Sequence, residues 1–266
     1  MNISLVLDEN LLNISCEYLI ETISKQNKKN YITGIEFLVL RYDNEVKTYL
    51  TKFASLCNNY NYTISFKGAY LDLGIDEHIK FLKMYDNIAK ILNKPVTITY
   101  TSCLSNDLNG SIHDTITMYL HIMSYITENK LNLDILVENL EYLNRPSVKD
   151  IITEIIPSVY GLKFSYNIGH EALIGYTEYK LPENNYITDI NDKVKNIYLH
   201  DNDSISAHLG FNYGNIDLYE VKDFINLNGY NNSITIELNL YKLNGNTIEE
   251  KLSSYMLEVN KVKVIL

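Results

Sequence analysis

Short apolar runs recur along the chain, and segments with helical spacing lie between them. The first run covers residues 2–7, and the apolar residues after it are three or four positions apart, at Leu12, Cys16, Leu19, Ile20 and Ile23. Seven further runs have the length and composition of strands, at 34–40, 62–66, 96–100, 133–137, 161–166, 196–199 and 233–238. This pattern predicts eight strands, each followed by a helix.

The alternation also predicts how the elements assemble. Residues 76–92 and 112–127 carry apolar side chains on one helical face, and the Thr-x-x-Glu capping box of Thr247 and Glu250 predicts that the last helix begins near Thr247. Because no linker rich in Pro, Gly or Ser interrupts the chain, we expect a single (β/α)8 TIM barrel domain over residues 1–266. An open doubly wound sheet is the alternative, but residues 7–10 are not a glycine-rich phosphate-binding turn.

Charge and cysteine content narrow the functional classes. The net charge is −10, from 33 acidic and 23 basic residues, which opposes binding to nucleic acid. Cys16, Cys57 and Cys103 are widely spaced, and no signal peptide precedes Asp8, so we expect reduced thiols and a cytoplasmic location. No apolar stretch approaches the roughly 20 residues that span a bilayer, so we expect no membrane partner.

The stretch from Lys195 to Asp217 is a candidate functional segment, because it combines the end of a strand with histidines, aspartates and a loop that contains glycines. In a (β/α)8 barrel, functional groups lie at the C-terminal ends of the strands. The predicted strand ends carry a ring of polar and aromatic residues, namely Asp8, Arg41, Lys67, Thr99, Tyr100, Glu138, Asn139, Asn167, His170, Tyr198, His200, Asp201 and Glu237.

Several of these patterns resemble the xylose-isomerase-like barrel superfamily, which includes sugar phosphate isomerases and epimerases and endonuclease-IV-type phosphodiesterases. The matching segments are Glu138-Asn139, Asn167 to His170, Tyr198 to Asp201, His208 with Gly210, Gly214 and Ile216-Asp217, and the final Glu237. The resemblance implies that Glu138 and Glu237 are the catalytic acid and base. It also implies that two Glu, one Asp and one His hold a divalent cation.

The chain departs from that family at the implied metal ligands. Asn167 stands where the family has Asp, and Tyr198 stands where it has His. An amide binds a cation more weakly than a carboxylate does. A phenol is a poor ligand at neutral pH because its pKa is about 10. His200 lies on the same strand face as Tyr198 and can supply an imidazole. The expected metal ligands are therefore Glu138, Asn167, His200 and Glu237, holding Mn, Mg or Zn weakly or not at all.

Two further positions argue against a trinuclear zinc centre. The segment from Ser65 to Tyr70 resembles the family segment that carries a third-strand His, but Lys67 occupies that place. Thr99 or Tyr100 occupies the fourth-strand His position. Lys67 can instead neutralise the Glu pair in place of a cation, or bind an anionic group of the substrate as a point charge.

Each candidate also has a structural interpretation. Glu138 and Glu237 can be structural carboxylates paired with Lys67 or Arg41. We expect Lys67, His170, Tyr198 and His208 to bind substrate, with loop packing as the alternative for the two histidines. The remaining three histidines lie in or beside predicted helices and are expected at the surface or in packing contacts, namely His78, His113 and His121.

Three functional interpretations follow. The leading one is a sugar or sugar phosphate isomerase or epimerase that moves a proton at a carbon next to a carbonyl, with a small sugar or polyol as substrate. The second is a non-catalytic descendant that binds a small metabolite or a partner. The third and least favoured is a phosphodiesterase acting on damaged DNA. A homodimer is left open.

Overall fold

The computed structural model describes residues 2–68, 71–140, 144–172, 192–203 and 207–266. Eight parallel strands pair in chain order and close on themselves, so the predicted barrel is confirmed and the open sheet is excluded. The strands are β1 Asn2–Asp8, β2 Gly34–Leu38, β3 Thr63–Lys67, β4 Val96–Thr101, β5 Leu133–Glu138, β6 Lys163–Asn167, β7 Val194–Leu199 and β8 Ser233–Ile236.

Helical segments follow the strands. They are α1 Cys16–Gln26, α2 Asn44–Asn59, α3 Ile75–Leu92, α4 Leu108–Glu128, α5 Val148–Asp150, a π turn Ile151–Ile155, α6 Ile156–Ser158, α7 Ile168–Glu171, α8 Leu218–Leu227 and α9 Ile248–Ile265. The predicted capping box is present, because Thr247 accepts the Glu250 N–H and the Glu250 carboxylate accepts the Thr247 N–H. No helix within the described ranges has the length and apolar character needed to cross a membrane.

Local backbone signals moved some boundaries from their predicted places. The sixth strand begins at Lys163 rather than Gly161, because Gly161 has a φ of +84° and adopts a turn. The helix predicted after Asp8 is divided, since residues 9–13 form a 3-10 turn and the Ser15 side chain caps α1. These shifts leave the strand order unchanged.

Side chains alternate across the barrel wall. Outward residues pack against the helices, as in the stacked contact of Phe66 with Tyr85, whose ring centroids are 4.6 Å apart. Tyr100 is also outward and makes an edge contact with buried His78 at 5.2 Å. Tyr100 is therefore not at the barrel mouth, and Thr99 is the inward residue of β4.

The strand register places the C-terminal ends of neighbouring strands at the same height along the barrel axis. Lys67 is opposite Thr99, and Asn167 is opposite Tyr198. Arg41 lies outside this ring, since it is exposed and pairs with Asp43 at 3.5 Å. His113 and His121 are exposed on α4, as expected from the sequence.

Candidate functional site

A buried lysine joins the two candidate carboxylates. Nζ of Lys67 lies 2.9 Å from Oε1 of Glu138 and 2.6 Å from Oε1 of Glu237. The three residues come from β3, the end of β5 and the residue after β8, and barrel closure brings them together. Their side chains are at most 9% exposed, so solvent screens the charges weakly. The ammonium therefore lies between the carboxylates that the family resemblance assigns to a metal ion.

Asn167 completes this cluster with its amide nitrogen. Its Nδ2 donates to Oε1 of Glu138 at 2.7 Å and to Oε2 of Glu237 at 3.1 Å. The amide oxygen points the other way and accepts the His170 N–H at 2.9 Å, which fixes the orientation of the amide. Asn139 supports the same backbone, since its side chain accepts the Asn167 N–H and donates to the Asn167 carbonyl. Asn167 thus offers donors, not a ligand oxygen, to the centre of the site.

The cluster holds both carboxylates in the charged form. Burial acts to raise the pKa of Glu138, but Lys67 and His170 outweigh it and the pKa lies below its usual range. The same balance, with Lys67 and neighbouring histidines opposing burial, lowers the pKa of Glu237. Burial opposes the charge of Lys67, yet the two carboxylates raise its pKa above the usual value. The cation position expected for an isomerase metal therefore does not fit a metal ion in this chain, because an ammonium ion fills it.

One oxygen at this centre lacks a partner. Oε1 of Glu138 accepts from Lys67 and Asn167 and lies 3.3 Å from Nδ1 of His170. Oε2 of Glu138 is buried and has no hydrogen-bond partner among the residues that the structure describes. An unpaired carboxylate oxygen in a buried site is costly unless a ligand or proton engages it.

Tyr198 lies under the cluster. Nζ of Lys67 is 4.5 Å from the centre of its ring, within cation–π range. The hydroxyl is buried and has no hydrogen-bond partner within the described residues. Burial, with the nearby carboxylate of Glu36, raises the pKa of Tyr198 well above its ordinary value. Tyr198 therefore supports Lys67 with its ring and stays a neutral phenol.

Three imidazoles form a second cluster beside the first. The rings of His170, His200 and His208 lie 4.2 to 5.4 Å apart, and one ligand atom of each lies within 4.8 Å of a Glu237 oxygen. Burial lowers the pKa of His200 and of His208, so both are neutral at pH 7. Gly169 permits this packing, because a Cβ there would lie 2.3 Å from the His200 ring.

The hydrogen bonds fix which ring nitrogens can bind a cation. Nδ1 of His170 faces the Asn139 carbonyl at 3.3 Å, and Nδ1 of His208 faces the Glu237 carbonyl at 3.1 Å, so both Nδ1 atoms carry the proton. Their Nε2 lone pairs are then available, as in most metal-binding histidines. His200 differs, because its Nδ1 lies 3.1 Å from the His208 N–H and 3.3 Å from the Asp201 carbonyl, so its hydrogen bonds do not select one tautomer. His170, His208 and Glu237 are thus the better-suited ligands.

The structure divides the ligand set expected from the sequence. Glu138, Asn167 and Glu237 surround Lys67, whereas His200 lies in the imidazole cluster. Asp201 has a structural role, since its carboxylate accepts the backbone N–H groups of residues 202, 213, 214 and 216. Ala69 and Tyr70, which complete the third-strand segment singled out in the sequence, lie outside the described residues.

Sequence reasoning missed Glu36. It lies in the middle of β2, 2% exposed, and accepts a hydrogen bond from Ser65 at 3.2 Å. Burial raises the pKa of Glu36 to about 7, although Tyr198 and Lys67 act in the opposite direction. The signal in the sequence is a charged residue inside the apolar run from Gly34 to Leu38, but Glu36 is not at the end of the strand, where functional residues of a barrel are expected.

Comparison with known proteins identifies solved structures that share this fold. No family model and no curated protein matches the sequence. The solved structures that match include a xylose isomerase-like TIM barrel and 4-hydroxyphenylpyruvate dioxygenase fusion protein, with a TM-score of 0.70 and 12% identity over 99% of this chain. This chain spans only 44% of the fusion protein. The chain shares the TIM barrel fold of this protein.

Two matching structures have nearly the same length as this chain. A D-tagatose 3-epimerase-like protein matches with a TM-score of 0.64 and 18% identity over 99% of both chains. Endonuclease IV from Thermus thermophilus matches with a TM-score of 0.60 and 11% identity over 100% of this chain and 98% of its own. At identities this low, the structural similarity establishes the shared fold and not the activity.

Proposed function

We propose that this protein is an isomerase or epimerase that acts on a small sugar or polyol carbonyl compound and uses Lys67 in place of a metal ion. The observation that carries the proposal is the Lys67 ammonium between Glu138 and Glu237, together with the unpartnered Oε2 of Glu138. The similarity to a D-tagatose 3-epimerase-like protein supports a ketose as the substrate class. The expected cytoplasmic location agrees with such a substrate.

The proposed chemistry needs a base, an electrostatic partner and a proton donor. Oε2 of Glu138 takes the proton from the carbon next to the carbonyl, and Lys67 stabilises the negative charge that develops on the carbonyl oxygen. When Lys67 turns to the substrate oxygen, its hold on the carboxylates weakens and their pKa values rise. For epimerisation, Glu237 gains a proton from solvent as its pKa rises and donates it to the opposite face of the same carbon, and Glu138 later releases its proton to solvent. For isomerisation, Glu138 returns its proton to the neighbouring carbon on the same face, and the hydroxyl proton passes to the former carbonyl oxygen.

Non-catalytic binding of a small metabolite is the second candidate. It is favoured by the lowered pKa values of both carboxylates, because a weakly basic carboxylate is a poor general base. Two charged carboxylates and one ammonium still bind sugar hydroxyls well. Phosphodiester cleavage has less support, since Lys67 and Thr99 replace the two expected histidines and the net charge is −10.

A divalent cation can enter this scheme only at a different place from the isomerase position. His170, His208 and Glu237 form a set of two imidazoles and one carboxylate, which suits Zn, Mn or Fe(II). A cation held there would act as a Lewis acid toward a substrate oxygen. The assignment of Glu138 and Lys67 does not depend on it.

Solvent exchange tests the proposal directly. Chelator-treated protein is incubated with D-tagatose or D-fructose in D2O, and proton NMR follows loss of the C–H signal next to the carbonyl. We expect exchange without added metal and a loss of about 100-fold or more in Glu138→Gln. Glu128→Gln, at the exposed end of α4, is the matched control and should exchange at the wild-type rate.

The other outcomes separate the alternatives. Saturable ketose binding without any exchange would refute the isomerase proposal in favour of non-catalytic binding. Exchange that appears only after addition of Mn²⁺ or Zn²⁺, and that is lost in His208→Ala, would assign the reaction to a metal at the imidazole cluster and remove Lys67 as the electrophile.

A further inference from the structure

The opposite end of the barrel contains a cavity of about 310 Å³. It begins among residues at the N-terminal ends of the strands, including Lys94, Lys163 and Lys195, and reaches inward as far as Glu36 and Thr99. Its volume is within the range of small-molecule sites, which begins at about 300 Å³. None of the carboxylates and imidazoles at the C-terminal mouth contributes to its lining. The cavity therefore opens at the other end of the barrel from the candidate site, and its inner end at Glu36 and Thr99 approaches the Lys67 cluster.

The cavity exists because the inward side chains there are small and polar. Barrel interiors are usually filled by layers of branched apolar side chains. Here most of the lining consists of hydroxyl, amide and charged side chains, and seven residues contribute hydroxyl groups, namely Ser4, Thr63, Ser65, Thr97, Thr99, Ser233 and Thr235. These side chains leave space and present donors and acceptors to it.

Two buried polar atoms in the lining have no partner. Oε2 of Glu36 and Oγ1 of Thr99 make no hydrogen bond within the part of the chain that the structure describes, although the Tyr198 hydroxyl lies near the Glu36 carboxylate. Both residues are at most 2% exposed. Buried polar atoms of this kind are normally satisfied, so both atoms are available to an occupant of the cavity that can form hydrogen bonds. Ordered water alone is the simplest occupant.

The charge at the mouth favours a more specific occupant. Three lysines line the cavity, against the two acidic residues Asp134 and Glu36, and Lys163 pairs with Asp134 at 2.5 Å. This local excess of positive charge occurs in a protein whose net charge is −10. An anionic group is therefore attracted to the mouth, while the deeper hydroxyl and carboxylate groups suit ligand hydroxyls.

We propose that the N-terminal cavity binds an anionic polyol, such as a sugar phosphate or a sugar acid. The lysines hold the anionic group at the mouth, and the polyol chain extends inward so that its hydroxyls engage Glu36, Ser65 and Thr99. Glu36 accepts from a ligand hydroxyl through its free oxygen, and Thr99 supplies a further donor or acceptor. The cavity is a second binding site, and its occupation does not depend on the reaction proposed at the other end of the barrel.

Calorimetric titration of the full chain tests this site with D-ribose 5-phosphate and D-gluconate as probes, and with D-ribose and inorganic phosphate as the separate halves. We expect saturable one-site binding of at least one anionic polyol and much weaker binding of either half. Lys195→Met should weaken binding about tenfold or more, and Thr99→Val should weaken it measurably without a change in volume. Glu138→Gln, at the other mouth of the barrel, should change the affinity much less than Lys195→Met does.

Lys193→Met is the matched control, because Lys193 is two residues away and does not line the cavity. It makes the same change in net charge and should bind as the wild type does. Equal affinity in Lys195→Met, Thr99→Val and wild type would place the ligand elsewhere and overturn the proposal. Absence of saturable binding, or phosphate alone binding as tightly as ribose 5-phosphate, would overturn it as well and leave a water-filled cavity.

Discussion

At the scale of single residues, Lys67 explains how the barrel mouth tolerates two charged carboxylates. Glu138 and Glu237 are buried, and without a cation between them their mutual repulsion and desolvation would be unfavourable. The ammonium and the Asn167 amide supply four hydrogen bonds to the pair. The lysine therefore performs the charge-balancing part of the role that a metal ion has in the family that the sequence resembles.

We predict that Lys67→Met lowers the free energy of unfolding by about 3–5 kcal/mol at pH 7.5, because it leaves two buried carboxylates unpaired. The loss should shrink at pH 5, since the pKa of at least one carboxyl rises in the variant and a bound proton then relieves the repulsion. Urea unfolding at the two pH values measures both effects. Lys80→Met, which removes an exposed ion pair with Glu77, should cost less than about 1 kcal/mol.

Glu36 gives a second prediction, in which stability depends on pH. Its pKa in the folded protein is about 7 against an ordinary 4.5, so the folded state binds the proton more tightly than the unfolded state does. Stability from this residue is therefore greatest below pH 4.5 and falls as the pH rises to 7. We expect Glu36→Gln to match wild type near pH 4.5 and to exceed it by about 3 kcal/mol at pH 8.

Chemical denaturation across pH 4.5 to 8 measures this difference. The exposed Glu154→Gln is the control and should differ from wild type by a small amount that does not change with pH. A Glu36→Gln curve parallel to wild type over the whole range would mean that Glu36 titrates normally in the folded protein.

At the scale of elements, short-range hydrogen bonds define where helices and loops begin. Side chains of Asp8, Ser15, Asp43, Asp107 and Asp217 each accept a backbone N–H at the start of a helical segment. After β7, the Asp201 carboxylate accepts hydrogen bonds from four backbone N–H groups of the loop that carries His208. The position of His208 in the imidazole cluster therefore depends on these hydrogen bonds.

The capping box of α9 provides a test at this scale. Thr247→Ala removes the side chain that accepts the Glu250 N–H, so we expect the free energy of unfolding to fall by about 1 kcal/mol. Thr247→Ser keeps the hydroxyl and should differ from wild type by only a few tenths of a kcal/mol. Urea unfolding of the three proteins decides the matter, and equal losses in both variants would show that packing rather than capping is responsible.

At the scale of the whole molecule, the site is assembled by closure of the barrel. Lys67, Glu138, Asn167, Tyr198 and Glu237 come from or directly follow β3, β5, β6, β7 and β8. Substitutions that restore metal binding must therefore change several of these residues at once. We predict that Asn167→Asp with Tyr198→His leaves Mn²⁺ and Zn²⁺ binding close to that of wild type, because the Lys67 ammonium still fills the position between the carboxylates.

Adding Lys67→Met to that double variant should raise cation affinity about 10- to 100-fold, since the central position is then free and two more ligands face it. Calorimetric titration in a His208→Ala background removes one of the ligands of the imidazole cluster, so that the gain in affinity reports on the central position. If the double variant already binds as tightly as the triple variant, Lys67 does not occupy the metal position in solution.

The amino-acid sequence by itself determined the order of strands and helices, the barrel and the start of the last helix. These features follow from local periodicity and from short-range capping, as in Thr247 with Glu250, so they can be predicted without knowledge of distant contacts. The residues at the barrel mouth could also be named, because parallel strands place their C-terminal ends together.

Only the tertiary structure decided how those residues interact. Lys67 is 71 residues from Glu138 and 170 residues from Glu237, and their contacts depend on the closed barrel and its register. The orientation of the Asn167 amide, the raised pKa of Glu36 and the hydroxyl-lined cavity likewise result from burial and neighbours on other strands. Sequence spacing carries no information about desolvation or hydrogen-bond direction, and these two quantities determine the chemistry of the site.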